Sequence, residues 1–166
     1  MLSHILVPLD GSPLAETALE YALELVKPGG KLTLLSVVQV PEYPIYDLYP
    51  VPAPITKSIE QGYDELLPGA KTYLERLSAR IAETHQIETN ILVEMGDPAV
   101  MICDTADKVG ADVIVMSTHG RSGLNRWFFG SVTSKVLVGT HVPVFVVPNK
   151  NRRKTGEHVK AEAAAN

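Results

Sequence analysis

Apolar residues are grouped along the chain in short runs separated by amphipathic stretches. Ile5, Leu6 and Val7 form a nearly continuous apolar run closed by Pro8, the pattern of a strand buried on both faces. Leu32 to Val38, Ile91 to Met95, Asp112 to Met116 and Val142 to Val147 are rich in Val, Ile or Leu and read as four further strands. Between them the period changes to that of a helix. Ser12 caps and Pro13 opens a first helix over about 13 to 27, with Ala15, Ala18, Leu19, Ala22, Leu23 and Val26 on one face and Pro28-Gly29-Gly30 as its stop. Leu66, Leu67, Ala70, Tyr73, Leu74, Leu77 and Ile81 mark the inner face of a second, over about 60 to 84. A third starts at Pro98 and runs to about 109, and a fourth covers about 131 to 139. Strands alternating with helices over short links predict an α/β domain with a five-stranded parallel sheet joined by right-handed crossovers.

Two stretches break the alternation. Residues 40–59 carry repeated prolines and three tyrosines without either period, and are expected to form a long loop or lid. From Asn149 onward the chain turns polar, basic and finally alanine-rich, as a flexible tail does.

A length of 166 residues, 45% of them hydrophobic, is enough for one core and gives no sign of a second. Fifteen Lys and Arg against 19 Asp and Glu leave a net charge of −4, so no overall basic surface argues for nucleic acid. Cys103 is the only cysteine, which rules out an intrachain disulfide and a cysteine-rich zinc site and fits a reducing cytoplasm. No basic leader opens the sequence and no run reaches the roughly 20 apolar residues of a membrane span, so neither export nor a membrane location is expected.

In an open parallel sheet, ligands bind outside the carboxyl ends of the strands where the strand order reverses, so the residues that follow each strand carry the chemistry. After the first strand comes Pro8-Leu9-Asp10-Gly11-Ser12, where a carboxylate beside a helix N-terminus can accept from ribose hydroxyls or hold a metal through water. The plainer reading is that Asp10 and Ser12 only cap the helix. After the fourth strand comes Ser117-Thr118-His119-Gly120-Arg121-Ser122-Gly123, and Gly130-Ser131 then opens the fourth helix. Small residues let backbone amides approach an anion, and the helix dipole favours it. The segment matches neither a P-loop nor a dinucleotide fingerprint, and a plain turn is the alternative.

Ser117-x2-Gly120-x9-Gly130-Ser131 resembles the G-x2-G-x9-G-[ST] ATP-binding motif of the universal stress protein family. His4 to Ser12, Leu34-Leu35-Ser36-Val37, Gly96-Asp97-Pro98 and Pro143 to Pro148 are similar to other stretches of that family's domain, and the resemblance covers 3–148, setting the domain at 1–148 and a tail at 149–166. It implies a Rossmann-like sheet of order 3-2-1-4-5 with helices on both faces, of the adenine nucleotide alpha hydrolase-like kind. It also implies ATP, with Mg²⁺ reached through Asp10 and the phosphates. Pro8, Leu9 and Asp10 would border the nucleotide and Val37 would pack on adenine. Gly120, Gly130, Ser131 and Val132 would follow ribose and phosphates, with Ser117 and Arg121 in the same loop. The departure is Ser117, which stands where the motif has its first glycine. The resemblance further implies a homodimer through the last strand, 142–147, whose apolar edge would otherwise be open to pairing.

Other conspicuous residues have plainer explanations. His119 has no nucleophile and orienting group assignable to it, and Arg121 and Arg126 fit either phosphate contacts or solvated loop positions. Cys103 sits at helical spacing with Val100 and Ala106 and reads as a core residue, and the five histidines are scattered without metal-ligand spacing. Trp127-Phe128-Phe129 suits a core plug or a partner surface. Three functions follow: an ATP-binding regulator of a stress response, with protein partners the sequence does not identify; a slow ATP hydrolase or ATP-consuming transferase; and a nucleotide-free scaffold.

Overall fold

A computed structural model describes residues 2–39, 53–118 and 130–148. The described elements run, in chain order, β1 (Leu2–Pro8), α1 (Pro13–Leu25), β2 (Val26–Val38), α2 (Ala53–Thr84), β3 (Glu88–Met95), α3 (Pro98–Val109), β4 (Val113–Ser117), α4 (Ser131–Gly139) and β5 (Val144–Val147). All strand pairings are parallel, in the order β3-β2-β1-β4-β5. Five parallel strands are what the strand–helix alternation predicts, and their order is the one the family resemblance implies.

β1 is the central strand, and Ile5, Leu6 and Val7 are fully buried. Successive side chains of a strand point to opposite faces, so each strand feeds two cores. Ile5, Val7, Leu32, Leu34, Val113 and Val115 pack against Ala15, Ala18, Leu19 and Ala22 of α1 and Leu74, Leu77 and Ile81 of α2. Leu6, Leu35, Ile114 and Met116 pack on the other face against Ala99, Ile102 and Ala106 of α3 and Val136 of α4. The result is three layers, with α1 and α2 on one side of the sheet and α3 and α4 on the other.

Several boundaries differ from the sequence expectation. α1 stops at Leu25, before Pro28-Gly29-Gly30, because Val26 is already extended (φ −71°, ψ 139°) and buries its β-branched side chain opposite Leu2. The Gly pair then serves the sheet. Gly29 has φ +69°, and a Cβ on Gly30 would stand 2.6 Å from Val26 Cγ2 and 2.8 Å from the Lys27 carbonyl oxygen, so a close passage fixes the register shift between Leu2 and His4. β3 begins earlier, at Glu88, while β5 starts only at Val144. α2 starts at Ala53, so 53–59 of the expected loop are helical, and the rest of that loop lies outside the described residues, as does the tail from 149. Leu66, expected inward, is exposed.

At the amino edge of the sheet, Asp112 Oδ2 accepts from the Ser3 and His4 amides at 2.7 and 2.9 Å, fastening the start of β1 beside β4. These bonds hold the Asp112 carboxyl below the usual carboxylate range. The His4 ring lies between Thr33 Oγ1, 2.8 Å from Nε2, and the Val109 backbone. Burial, reinforced by Lys31, pulls its pKa down, against opposing pulls from Val109, Asp112 and Glu88. The unfolded chain therefore takes up this proton at a higher pH than the folded one. Stability is then lost as pH falls below the unfolded histidine value of about 6.5. Urea denaturation followed from about pH 7.5 down to about pH 5 is expected to show this decline, and His4→Gln is expected to flatten it, whereas Asp112 contributes only in the more acid range.

Candidate functional site

The connection after β1 goes to one side of the sheet, toward β2, and the chain later crosses to the other side to form β4 beside the same β1. The strand order reverses there, and in open α/β sheets such a reversal sets the ligand crevice between the carboxyl ends of the two diverging strands, here β1 and β4. Pro8 is opposite Leu35 and Leu6 is opposite Ile114. The Leu9 amide extends the ladder by donating to the Leu35 carbonyl at 2.8 Å. Carried on at that register, Asp10 comes level with Val37 of β2 and Thr118 after β4.

On the β1 side, Asp10 is exposed and its Oδ1 accepts from the Ser12 amide at 2.9 Å, across Gly11 at φ +79°. Ser12 Oγ in turn accepts from Ala15 N at 3.1 Å and caps α1. The capping role is thus real, and it also fixes the Asp10 carboxylate at the rim of the crevice.

On the β4 side, three contacts gather the chain ends. Thr118 N donates to the Val147 carbonyl at 3.0 Å, and Gly130 N donates to the Thr118 carbonyl at 2.6 Å. Thr133 Oγ1, buried, donates to the Ser117 carbonyl at 3.0 Å. The first turn of α4 is therefore fastened to the tip of β4, and the chain leaves at Thr118 and returns at Gly130 to one point. Ser117 is the last residue of β4, paired with Val147, so its backbone is extended. Nothing in that conformation calls for glycine. Gly130 is the N-cap of α4 and supplies no side-chain cap bond, in contrast to Ser12 for α1 and Asp97 for α3. Val37 and Val132 pack against the same apolar cluster, with Leu6, Leu35 and Met116.

Of the residues singled out from the sequence, Pro8, Leu9, Asp10, Val37, Ser117, Gly130, Ser131 and Val132 all lie along this carboxyl edge. Gly120 and Arg121, with His119, Arg126 and Trp127 to Phe129, lie outside the described residues. The sequence reading passed over Thr133, whose signal was a β-branched hydroxyl in the first turn of a helix opened by glycine. It also passed over Lys135, whose Nζ is 2.9 Å from Asp97 Oδ2 and links α4 to the start of α3. Asp97 Oδ1 accepts from the Ala99 and Val100 amides at 2.8 and 3.2 Å, and Gly96 before it has φ +143°. Lys135 and these amides hold the Asp97 carboxyl below the usual range.

Cys103 is half-buried in the α3–α4 contact, its Sγ 3.6 Å from where a Cβ on Gly139 would stand, and burial pushes its thiol up. It is a packing residue. Among the described residues no group of His, Cys, Asp and Glu could hold a metal ion by itself. A groove of about 340 Å³ between α1 and α2 is lined by Glu16, Leu19, Arg80 and His85, among others. Glu16 there accepts from Arg80 at 3.1 Å and from Tyr73 at 3.3 Å, so the groove is the seam of two helices bridged by their own side chains. Burial and the Glu16 carboxylate push the Tyr73 phenol up.

The Universal stress protein family model matches residues 1–148. Universal stress protein MJ0577 of Methanocaldococcus jannaschii is 31% identical over 160 residues, 91% of this chain and 98% of its own length. The solved structure of MJ0577 superposes with a TM-score of 0.76 at 26% identity, covering 89% of this chain and 96% of that one. The universal stress protein UspA of Lactobacillus plantarum gives 0.74 at 25%, covering 87% and 97%. An Arabidopsis thaliana family protein with AMP bound shares the fold at a TM-score of 0.60 and 19% identity, covering 90% and 94%. A universal stress protein in complex with cAMP does so at 0.59 and 19%, covering 89% and 97%.

The clamp predicts a measurable cost. Thr133→Val removes the donor to the Ser117 carbonyl and is expected to lower unfolding free energy by about 1–2 kcal/mol in urea, while Thr133→Ser recovers most of it.

Proposed function

The chain belongs to the universal stress protein family, and from that premise we propose that it is an adenine-nucleotide-binding regulatory protein that takes its ligand at the β1–β4 crevice. One observation carries the reading: the Gly130-to-Thr118 bond returns the chain to the tip of β4 and aims the N-terminus of α4, without a capping side chain, at the point where the strand order reverses. Helix N-termini of this kind receive phosphate through backbone amides and the helix dipole. The AMP-bound and cAMP-bound relatives support an adenine nucleotide as the ligand class.

The residues present fit such a ligand. Val37 and Val132 offer apolar surface for adenine, Asp10 accepts from ribose, and the amides of Ser131 and Val132 with the Ser131 hydroxyl receive phosphates. ATP with Mg²⁺ is the form the motif favours. The ion would be held by phosphate oxygens and water with Asp10 as its protein partner, as magnesium is at many phosphate sites. Ser117 is compatible with binding because its position is ordinary strand. Bound nucleotide would change the surface offered to protein partners, with little turnover. Purified protein titrated with fluorescent ATP and Mg²⁺ is expected to bind, and Gly130→Val, which brings a branched side chain to the amides, is expected to weaken binding at least tenfold, on the order of the loss from a misfitted ligand contact. Unchanged affinity in Gly130→Val, or wild-type protein that ignores nucleotide, would contradict the reading.

The protein is further proposed to act as a homodimer through β5. This strand lies at the sheet edge, and the Pro143 and Val147 carbonyls are turned toward β4. By alternation, Val144 and Val146 present their amides and carbonyls outward. Phe145, which meets Tyr21 with ring centroids 6.2 Å apart, is 40% exposed beside them. Sedimentation velocity at micromolar concentration is expected to give a dimer for the wild type and a folded monomer for Val146→Pro, which removes only an outward amide.

A further inference from the structure

Lys135 is on the exposed side of α4, away from the buried Thr133 and Val136. It lies four residues after Ser131, hence on the same face and about one helical turn, roughly 6 Å, further along the axis. Long side chains in a helix lean back toward its N-terminus, which brings the ammonium to the level of the first turn. There it meets Asp97 Oδ2 at 2.9 Å, with both side chains open to solvent, 62% and 41% exposed. Asp97 caps α3 through its other oxygen, so the cap does not depend on the lysine. An exposed pair of this kind is weak, and an incoming anion displaces it at little cost. The other described lysine of α3 and α4, Lys108, is in the last turn of α3 at the opposite edge of the sheet.

We propose that Lys135 is a specificity-determining residue that selects nucleoside di- and triphosphates over monophosphates, by exchanging Asp97 for the β- or γ-phosphate of a nucleotide seated at Ser131. The inference rests on the adenine-nucleotide reading of the crevice. A monophosphate spans only the α4 amides and leaves the Lys135–Asp97 pair intact. A longer phosphate chain reaches the ammonium, and it also meets the Asp97 carboxylate, which opposes it. The two residues thus act in opposite directions on the same part of the ligand.

Calorimetric titration of AMP and ATP against the wild type, Lys135→Met, Lys135→Arg and Asp97→Asn tests this. Asparagine keeps an oxygen for the α3 cap, and both changes at Lys135 are on the surface. Lys135→Met is expected to weaken ATP about tenfold and AMP by less than about twofold, with Lys135→Arg near the wild type and Asp97→Asn binding ATP about threefold tighter. Equal weakening of both nucleotides, or an unchanged ATP-to-AMP ratio in Lys135→Met, overturns the inference while leaving the nucleotide site standing. Wild-type protein that binds neither overturns the nucleotide reading and the inference with it.

Discussion

Everything in this molecule hangs on β1 being paired on both sides by parallel neighbours. Burial of Ile5, Leu6 and Val7 on both faces forces helices onto each side of the sheet, and right-handed crossovers then send the chain one way to β2 and the other way to β4. The crevice at the carboxyl ends of β1 and β4 is a consequence of that reversal, not a separate feature. What the sequence adds is the lining: a carboxylate fixed by its own turn at Asp10, and a helix start at Gly130 fastened back onto Thr118.

The contacts at the two ends of the sheet do different work. At the amino edge, Asp112 and His4 tie β1, β2, β4 and the end of α3 together through a carboxylate and an imidazole ring. At the carboxyl edge, the fastening is mostly backbone to backbone, and the charged groups are exposed: Asp10 at the rim and the Lys135–Asp97 pair across α3 and α4.

Much of this was legible in the chain itself. Runs rich in Val, Ile and Leu located all five strands, most plainly β1, β2 and β4, whose burial on both faces leaves no polar alternation to blur them. Element ends were less legible. Pro28-Gly29-Gly30 looked like a helix stop, but the close passage of Gly30 against Val26 belongs to the sheet, and only the tertiary register reveals it. Leu66 fits the helical period yet is exposed, whereas Leu74, Leu77 and Ile81 further along α2 are buried, a difference the period alone does not carry. Asp10, Gly130 and Ser131 were singled out by position after a strand or at a helix start, and Val37 and Val132 by resemblance alone. Thr133 and Lys135 were not, because a hydroxyl bond to a carbonyl 16 residues away and an ion pair spanning 38 residues leave no local pattern.

The central claim is that the β1–β4 crevice, and not the α1–α2 seam, receives the nucleotide. Amide chemical-shift mapping of isotope-labelled protein with AMP tests it most directly. The account predicts shifts concentrated at Leu9 to Gly11, at Val37 and at Gly130 to Thr133. Shifts centred instead on Leu19, Arg80 and His85, or none at saturating AMP, would contradict it.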